Sequence, residues 1–232
     1  MMKKKHVLFV LLVIAALIPL SGRAQQDSGY FPLQKGRSIT FTHYDGKDKI
    51  TGYTQQTVTE VSKTAEGLKA VFMSEHKDAK GNTDVSGEVY MRSKGNTYYF
   101  DIRNILDINT LKMFQDREIE VTGNDLELPV ALSVGQTLPD ASMTVKMSME
   151  GFPMPSMTIR VFDRQVVGLE EVTTPAGTYS CYKIDYQTEI ECVFTSRLKA
   201  SEWVTKNVGM VKSETYNKKG KLIGKMLLSQ FD

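Results

Sequence analysis

Methionine carries the sharpest local chemical signal in this chain. Met143, Val145, Met147 and Met149 alternate with Ser142, Thr144, Lys146, Ser148 and Glu150. Met154 and Met157 follow beyond Gly151, Pro153 and Pro155. Successive side chains of a strand point to opposite faces, so one face here is nearly pure thioether. Three chemistries suit such a face. It is packed core, because thioethers fill irregular gaps. It is a soft wall for an apolar ligand or a partner segment, with Met143, Val145, Met147, Met149, Met154 and Met157 as the binding residues. Or it is a copper(I) site, which thioethers favour but which here lacks an accompanying histidine or cysteine.

Other reactive side chains are sparse. The histidines are His6, His43 and His76, with no acid or cysteine at metal-ligand spacing, which argues against zinc. No nucleophile elbow, phosphate loop or dinucleotide fingerprint occurs. Glu170 and Glu171 are adjacent and so point to opposite faces of a strand. Glu189 and Glu191 share a face, which reads as a solvated charged surface. A carboxylate pair that meets only in space stays open, and with it an extracytoplasmic hydrolase. The expectation is no catalytic residue, no cofactor and no metal. Tyr98, Tyr99, Tyr179, Tyr182, Tyr186 and Trp203 read as cross-strand packing in preference to a carbohydrate or ligand platform. Cys181 and Cys192 are expected to stay unpaired. One strand over Thr178–Ile190 would hold them roughly 35 Å apart at about 3.3 Å per residue, against a limit of ~7 Å for a bridge.

The elements that position these residues are strands. Ile39, Phe41 and His43 alternate with Thr40, Thr42 and Tyr44, and Asp45-Gly46 reads as a turn. Ile50–Val61, Leu68–Met73, Val85–Met91 and Tyr98–Ile102 continue the period of two, with polar turns at Asp78–Asn82 and Lys94–Asn96. Arg103–Arg117 breaks the rhythm. Ile105, Ile108, Leu111 and Phe114 fall at helical spacing and predict a short helix over one end of the sheet. Strands resume over Ala141–Glu150, Met157–Glu171, Thr178–Ile190, Thr195–Thr205, Met210–Tyr216 and Leu222–Phe231. The expectation is all-β: a large, curved antiparallel meander, half-barrel or barrel-like, with a short helix. Leu33-Gln34-Lys35-Gly36 and Leu132-Ser133-Val134-Gly135 open similar runs, so a single domain over 25–232 has two possible halves, about 25–125 and 126–232.

Met1–Ala24 reads as a signal peptide: Lys3–Lys5, an uncharged apolar run over Val7–Leu20, then Gly22-Arg23-Ala24 for cleavage after Ala24. No cysteine lies near that junction, so the expectation is a periplasmic or secreted protein that is not a lipoprotein, with no transmembrane segment in the mature chain. Taking Lys3, Lys4, Lys5 and Arg23 from the 29 cations leaves 25 against 27 acids, a net charge of −2. Nothing in that balance points to nucleic acid.

Two stretches carry a resemblance. Thr174-Pro175-Ala176-Gly177-Thr178-Tyr179-Ser180-Cys181-Tyr182-Lys183-Ile184 is one, and Glu202-Trp203-Val204 with Asn207–Glu214 is the other. With Thr122–Pro129 and Leu132–Asp140, they resemble the TapB-like family of exported bacterial proteins. The resemblance implies a β-rich exported protein with a strongly curved sheet, and it brings no catalytic residue. The function expected is a non-catalytic binding module for an apolar ligand such as an acyl chain. The alternative is a structural or assembly partner of another envelope protein.

Overall fold

The computed structural model describes residues 29–31, 33–102, 118–149, 152–153 and 155–232. The expected signal peptide lies outside these residues, and so does the segment with helical spacing. The described chain forms fourteen strands: β1 Ser38–Asp45, β2 Ile50–Lys63, β3 Gly67–Asp78, β4 Thr83–Lys94, β5 Thr97–Phe100, β6 Glu118–Gly123, β7 Leu126–Pro129, β8 Ala141–Met149, β9 Phe152–Pro153, β10 Met157–Thr174, β11 Gly177–Glu191, β12 Thr195–Thr205, β13 Gly209–Tyr216 and β14 Leu222–Phe231. They make one antiparallel sheet in the order β6-β8-β10-β11-β12-β13-β14-β1-β2-β3-β4-β5-β7, with β9 paired to β8. The sheet is not closed into a barrel.

Three hairpins turn by one device. Asp45, Asp78 and Asn217 each use a side-chain oxygen to accept the N–H groups two and four residues on. The residue three positions after each cap, Asp48, Gly81 or Gly220, has positive φ. These are short loops whose cap and left-handed residue stand at fixed offsets. In the first of them the left-handed residue is Asp48 and not Gly46.

The meander departs from sequence order in two places. β14 returns to pair with β1, joining Ile39 to Phe231 and Thr42 to Leu227. Between β5 and β8 the chain splits: β7 adds to β5, whereas β6 adds to β8. β6 and β7 are therefore the terminal strands of the order, yet only Asn124 and Asp125 separate them in sequence. Asn124 fixes that corner through its side chain, which receives the Ser142 N–H and donates to the Asp140 carbonyl.

Each half opens on the same turn. Arg37 N–H donates to Gln34, Gly36 N–H to Val58, and Val58 N–H to Arg37. In the second half Gln136 donates to Ser133, Gly135 to Val166, and Val166 to Gln136. Gly36 and Gly135 have φ of 88° and 90°. The ladder slips by one residue just after Val58 in β2 and just after Val166 in β10.

The core lies in three clusters. In the first, Ala70, Met91 and Tyr98 from the first half meet Val166, Ile184 and Val204 from the second. Between them lie Tyr30, Leu132 and Leu138, from the segments that lead into the two halves. The second gathers the methionine strand with Ile102, Ile159 and Val161. The third holds Trp203, Cys181, Phe41, Val211 and Leu228.

Candidate functional site

The alternation of β8 sets its side chains as the period of two requires. Met143, Val145 and Met147 are 3%, 0% and 4% exposed, while Lys146 faces out to Glu120. Met157 joins them because β10 pairs with β8, placing Met157 opposite Val145. The side chains of Met149 and Met154 lie outside the described residues. The four described members of the candidate set form one apolar wall, packed against Ile102, Leu126 and Ile159.

A polar group sits inside the sheet that the sequence did not announce. Asp163 takes φ of 53°, and the ladder slips between Phe162 and Gln165. That bulge sends Arg164 inward, 3% exposed, where Nη1 donates to the Pro139 carbonyl at 2.7 Å. Tyr186 donates its hydroxyl to Glu202 Oε1 at 2.8 Å. Burial and the Glu202 charge push the Tyr186 phenol well above its usual range, so it stays a neutral donor. Burial raises the Glu202 carboxyl, opposed by the Tyr186 bond and the Arg164 charge. Burial is also what lowers the Arg164 guanidinium. A buried guanidinium such as Arg164 depends on the groups it bonds, because removing a partner leaves an uncompensated buried charge. The signal for it is a charged pair, Asp163-Arg164, in the middle of an alternating run.

The histidines come together. Thr54 Oγ1 lies 2.7 Å from His43 Nε2 and 2.9 Å from His76 Nδ1. Thr54 is 5% exposed, so its hydroxyl is closed off from solvent and joins β1, β2 and β3. Burial, and secondarily His76, lowers His43 to about 4, and burial lowers His76. Both rings are neutral near pH 7.

One carboxylate differs from expectation. Glu189 is not on a solvated face: it is buried, held by Arg160 on β10 and Arg197 on β12. The cross-strand register puts the three in one row, so two exposed guanidinium groups close over one carboxylate. Glu170 accepts from Trp203 Nε1 at 2.8 Å, while Lys183 and Lys212 lie 5.1 and 4.2 Å from the indole centroid. Both cysteines are free, Cys181 buried and Cys192 half-buried. Among the described residues no group of three or more His, Cys, Asp or Glu is placed to hold a metal ion, and no helix is long and apolar enough to cross a membrane.

The feature most open to a partner is the β11–β12 hairpin tip. Val193 is 67% and Phe194 86% exposed, beside the half-buried Cys192. The Cys192 N–H donates to the Phe194 carbonyl, which tightens the turn and turns both apolar side chains outward.

The fold is shared with solved structures. One is a protein predicted to be exported, with YmcC-like fold, from Bacteroides fragilis. It is 24% identical, with TM-score 0.70, over 88% of this chain and 99% of that one. Another is a predicted lipoprotein from Parabacteroides distasonis, 20% identical, with TM-score 0.76, over 88% and 99%. No curated protein matches the chain. The family model described as DUF3108-like matches residues 34–228, from the first glycine turn to β14.

Proposed function

The chain belongs to the DUF3108-like family, and from that premise we propose an exported, non-catalytic binding protein that docks on another envelope protein through the β11–β12 hairpin tip. The observation that carries this is the contrast between the interior and the tip. Tyr30, Leu132 and Leu138 are buried in one cluster with side chains of β3, β4, β5, β10, β11 and β12, whereas Phe194 stands 86% exposed. A large apolar side chain at a tip gains about 1.5–3 kcal/mol when a partner covers it. In this reading Met1–Ala24 is removed after Ala24, the remainder of the chain acts as one domain, and no lipid is attached. The likeness of Thr174–Ile184 and Glu202–Glu214 to TapB-like proteins supports the same exported setting.

A photo-crosslinking residue at 194, expressed in the native envelope, tests the docking. One discrete adduct is expected, lost with Val193→Asp and absent when the crosslinker replaces Lys80 in the β3–β4 turn. No adduct at 194, or one that survives Val193→Asp, overturns it.

A second reading keeps the methionine wall as the seat of an apolar ligand such as an acyl chain. It rests on Met143 and Met147 of β8 meeting Met157 of the neighbouring β10 in one adaptable apolar cluster. Native mass spectrometry of the protein from its own envelope should then show a stoichiometric lipid mass. A bare mass sinks that reading and leaves the tip untouched.

A further inference from the structure

From the outer face of β3, β4 and β5 we infer a binding groove for an uncharged oligosaccharide, separate from both the hairpin tip and the methionine wall. The strand period divides the Tyr98-Tyr99 pair. Tyr98 turns into the core, 7% exposed, while Tyr99 pairs with Arg92 on the other face. There a groove of about 470 Å³ opens, within the size range of small-molecule sites. The Thr64–Glu66 turn forms one wall, and the corner at Asp101 and Asp125 forms the other.

Tyr90 is the exposed ring of the groove, at 39%, with its hydroxyl tied to Glu88 Oε2 at 2.7 Å. A sugar ring presents an apolar C–H face that stacks on such a surface. Its hydroxyls need paired donors and acceptors beside the platform, and the groove supplies them already fixed. Arg92 lies over the Tyr99 ring, 4.5 Å from its centroid, and sends Nε and Nη2 to Asp125 Oδ2 at 3.1 and 3.0 Å. Lys94 is held by Glu66 at 3.3 Å, and Lys69 stands over the Tyr90 ring, 5.3 Å from its centroid, so a stacked sugar displaces that ammonium. Pinned side chains lose little freedom when a ligand arrives.

Charge decides the ligand class. The charged groups lining the groove are Lys69, Arg92 and Lys94 against Glu66, Asp101 and Asp125, with Glu88 at the Tyr90 hydroxyl and Glu127 opposite Tyr99 beside them. A groove for an anionic glycan would leave cations in excess. This one has no such excess, and with tyrosine, threonine and serine hydroxyls between the charges it suits a neutral polyol.

The test is titration of the full chain with malto-, cello-, xylo- and N-acetylated chito-hexasaccharides, with polygalacturonate as the anionic arm, followed by calorimetry and amide NMR. The expected result is saturable binding of at least one neutral series, unchanged between about 50 and about 500 mM salt. Shifts should be confined to amides of Thr64–Lys69, Tyr90–Lys94 and Tyr99–Asp101. Tyr90→Ala should weaken binding about tenfold while Tyr90→Phe, which keeps the ring, stays within about twofold. The shift map on the wild type stands even if a variant is lost to misfolding. No saturation by any neutral series up to about 10 mM overturns the inference. So does binding of the anion alone with salt sensitivity, shifts outside the groove, or a folded Tyr90→Ala of unchanged affinity. Substitution at Phe194 leaves this binding intact, so the groove and the docking tip fail separately.

Discussion

Two buried histidines give the residue scale its clearest prediction. His43 titrates at about 4 in the folded protein, and His76 is lowered too, while both return to about 6.5 when unfolded. Between those values the unfolded chain binds more protons, so folding stability rises with pH. The contribution is fully present above about pH 6.5 and is lost as pH falls toward 4, by roughly 3 kcal/mol for His43, with His76 adding in the same direction. Urea denaturation at a series of pH values should show this slope, and His43→Gln should flatten it. A slope unchanged by His43→Gln would show that the fold does not hold the His43 ring neutral. The residue scale also shows where sequence reading succeeds. Met143, Val145 and Met147 were legible as a buried face because alternation alone fixes it. Glu189 was not, because its burial depends on Arg160 and Arg197 arriving from two other strands. Arg164 was hidden for a similar reason: a bulge reverses which face a residue takes, and alternation gives no warning of it.

Elements are where local rules and tertiary pairing divide the work. Thr195–Thr205 and Leu222–Phe231 have the limits the sequence implies, with the Asn207–Gly209 turn after the first and the Asn217–Gly220 turn before the second. The strands read from the sequence leave out Glu118–Pro129, which forms β6 and β7 and pairs with β8 and β5 in place of a continued meander. That choice belongs to whichever neighbours bury their faces. Two predictions sit at this scale. Met147→Lys should cost about 3 kcal/mol or more, because it buries an unpaired ammonium among Met143, Met157 and Ile159; an unchanged melting temperature would contradict the inward face of β8. Gly36→Ala and Gly135→Ala should each cost roughly 1 kcal/mol, through backbone strain at positive φ with no clash, since no atom lies within 4 Å of an added Cβ at either position. Similar losses of melting temperature at the two sites are expected, because the two turns make the same three hydrogen bonds. A loss at one site only would mean that the turns are alike in form and unlike in load.

At the scale of the whole molecule, the halves share one interior. The cluster that joins Ala70, Met91 and Tyr98 to Val166, Ile184 and Val204 needs both, and β14 completes β1. A fragment covering 25–125 should therefore remain unfolded by circular dichroism. If it folds cooperatively, the two halves are domains and the shared core is secondary. The two glycine turns share their three hydrogen bonds and their positive φ. The placement of β6 and β7 on either side of Asn124-Asp125 has a consequence for colloidal behaviour. A sheet whose terminal strands lie on opposite flanks lets copies stack edge to edge without limit, and that is the route to fibrils. Here, among the described residues, both terminal strands leave from one corner. Edge-to-edge stacking without limit lacks the opposite flanks it needs.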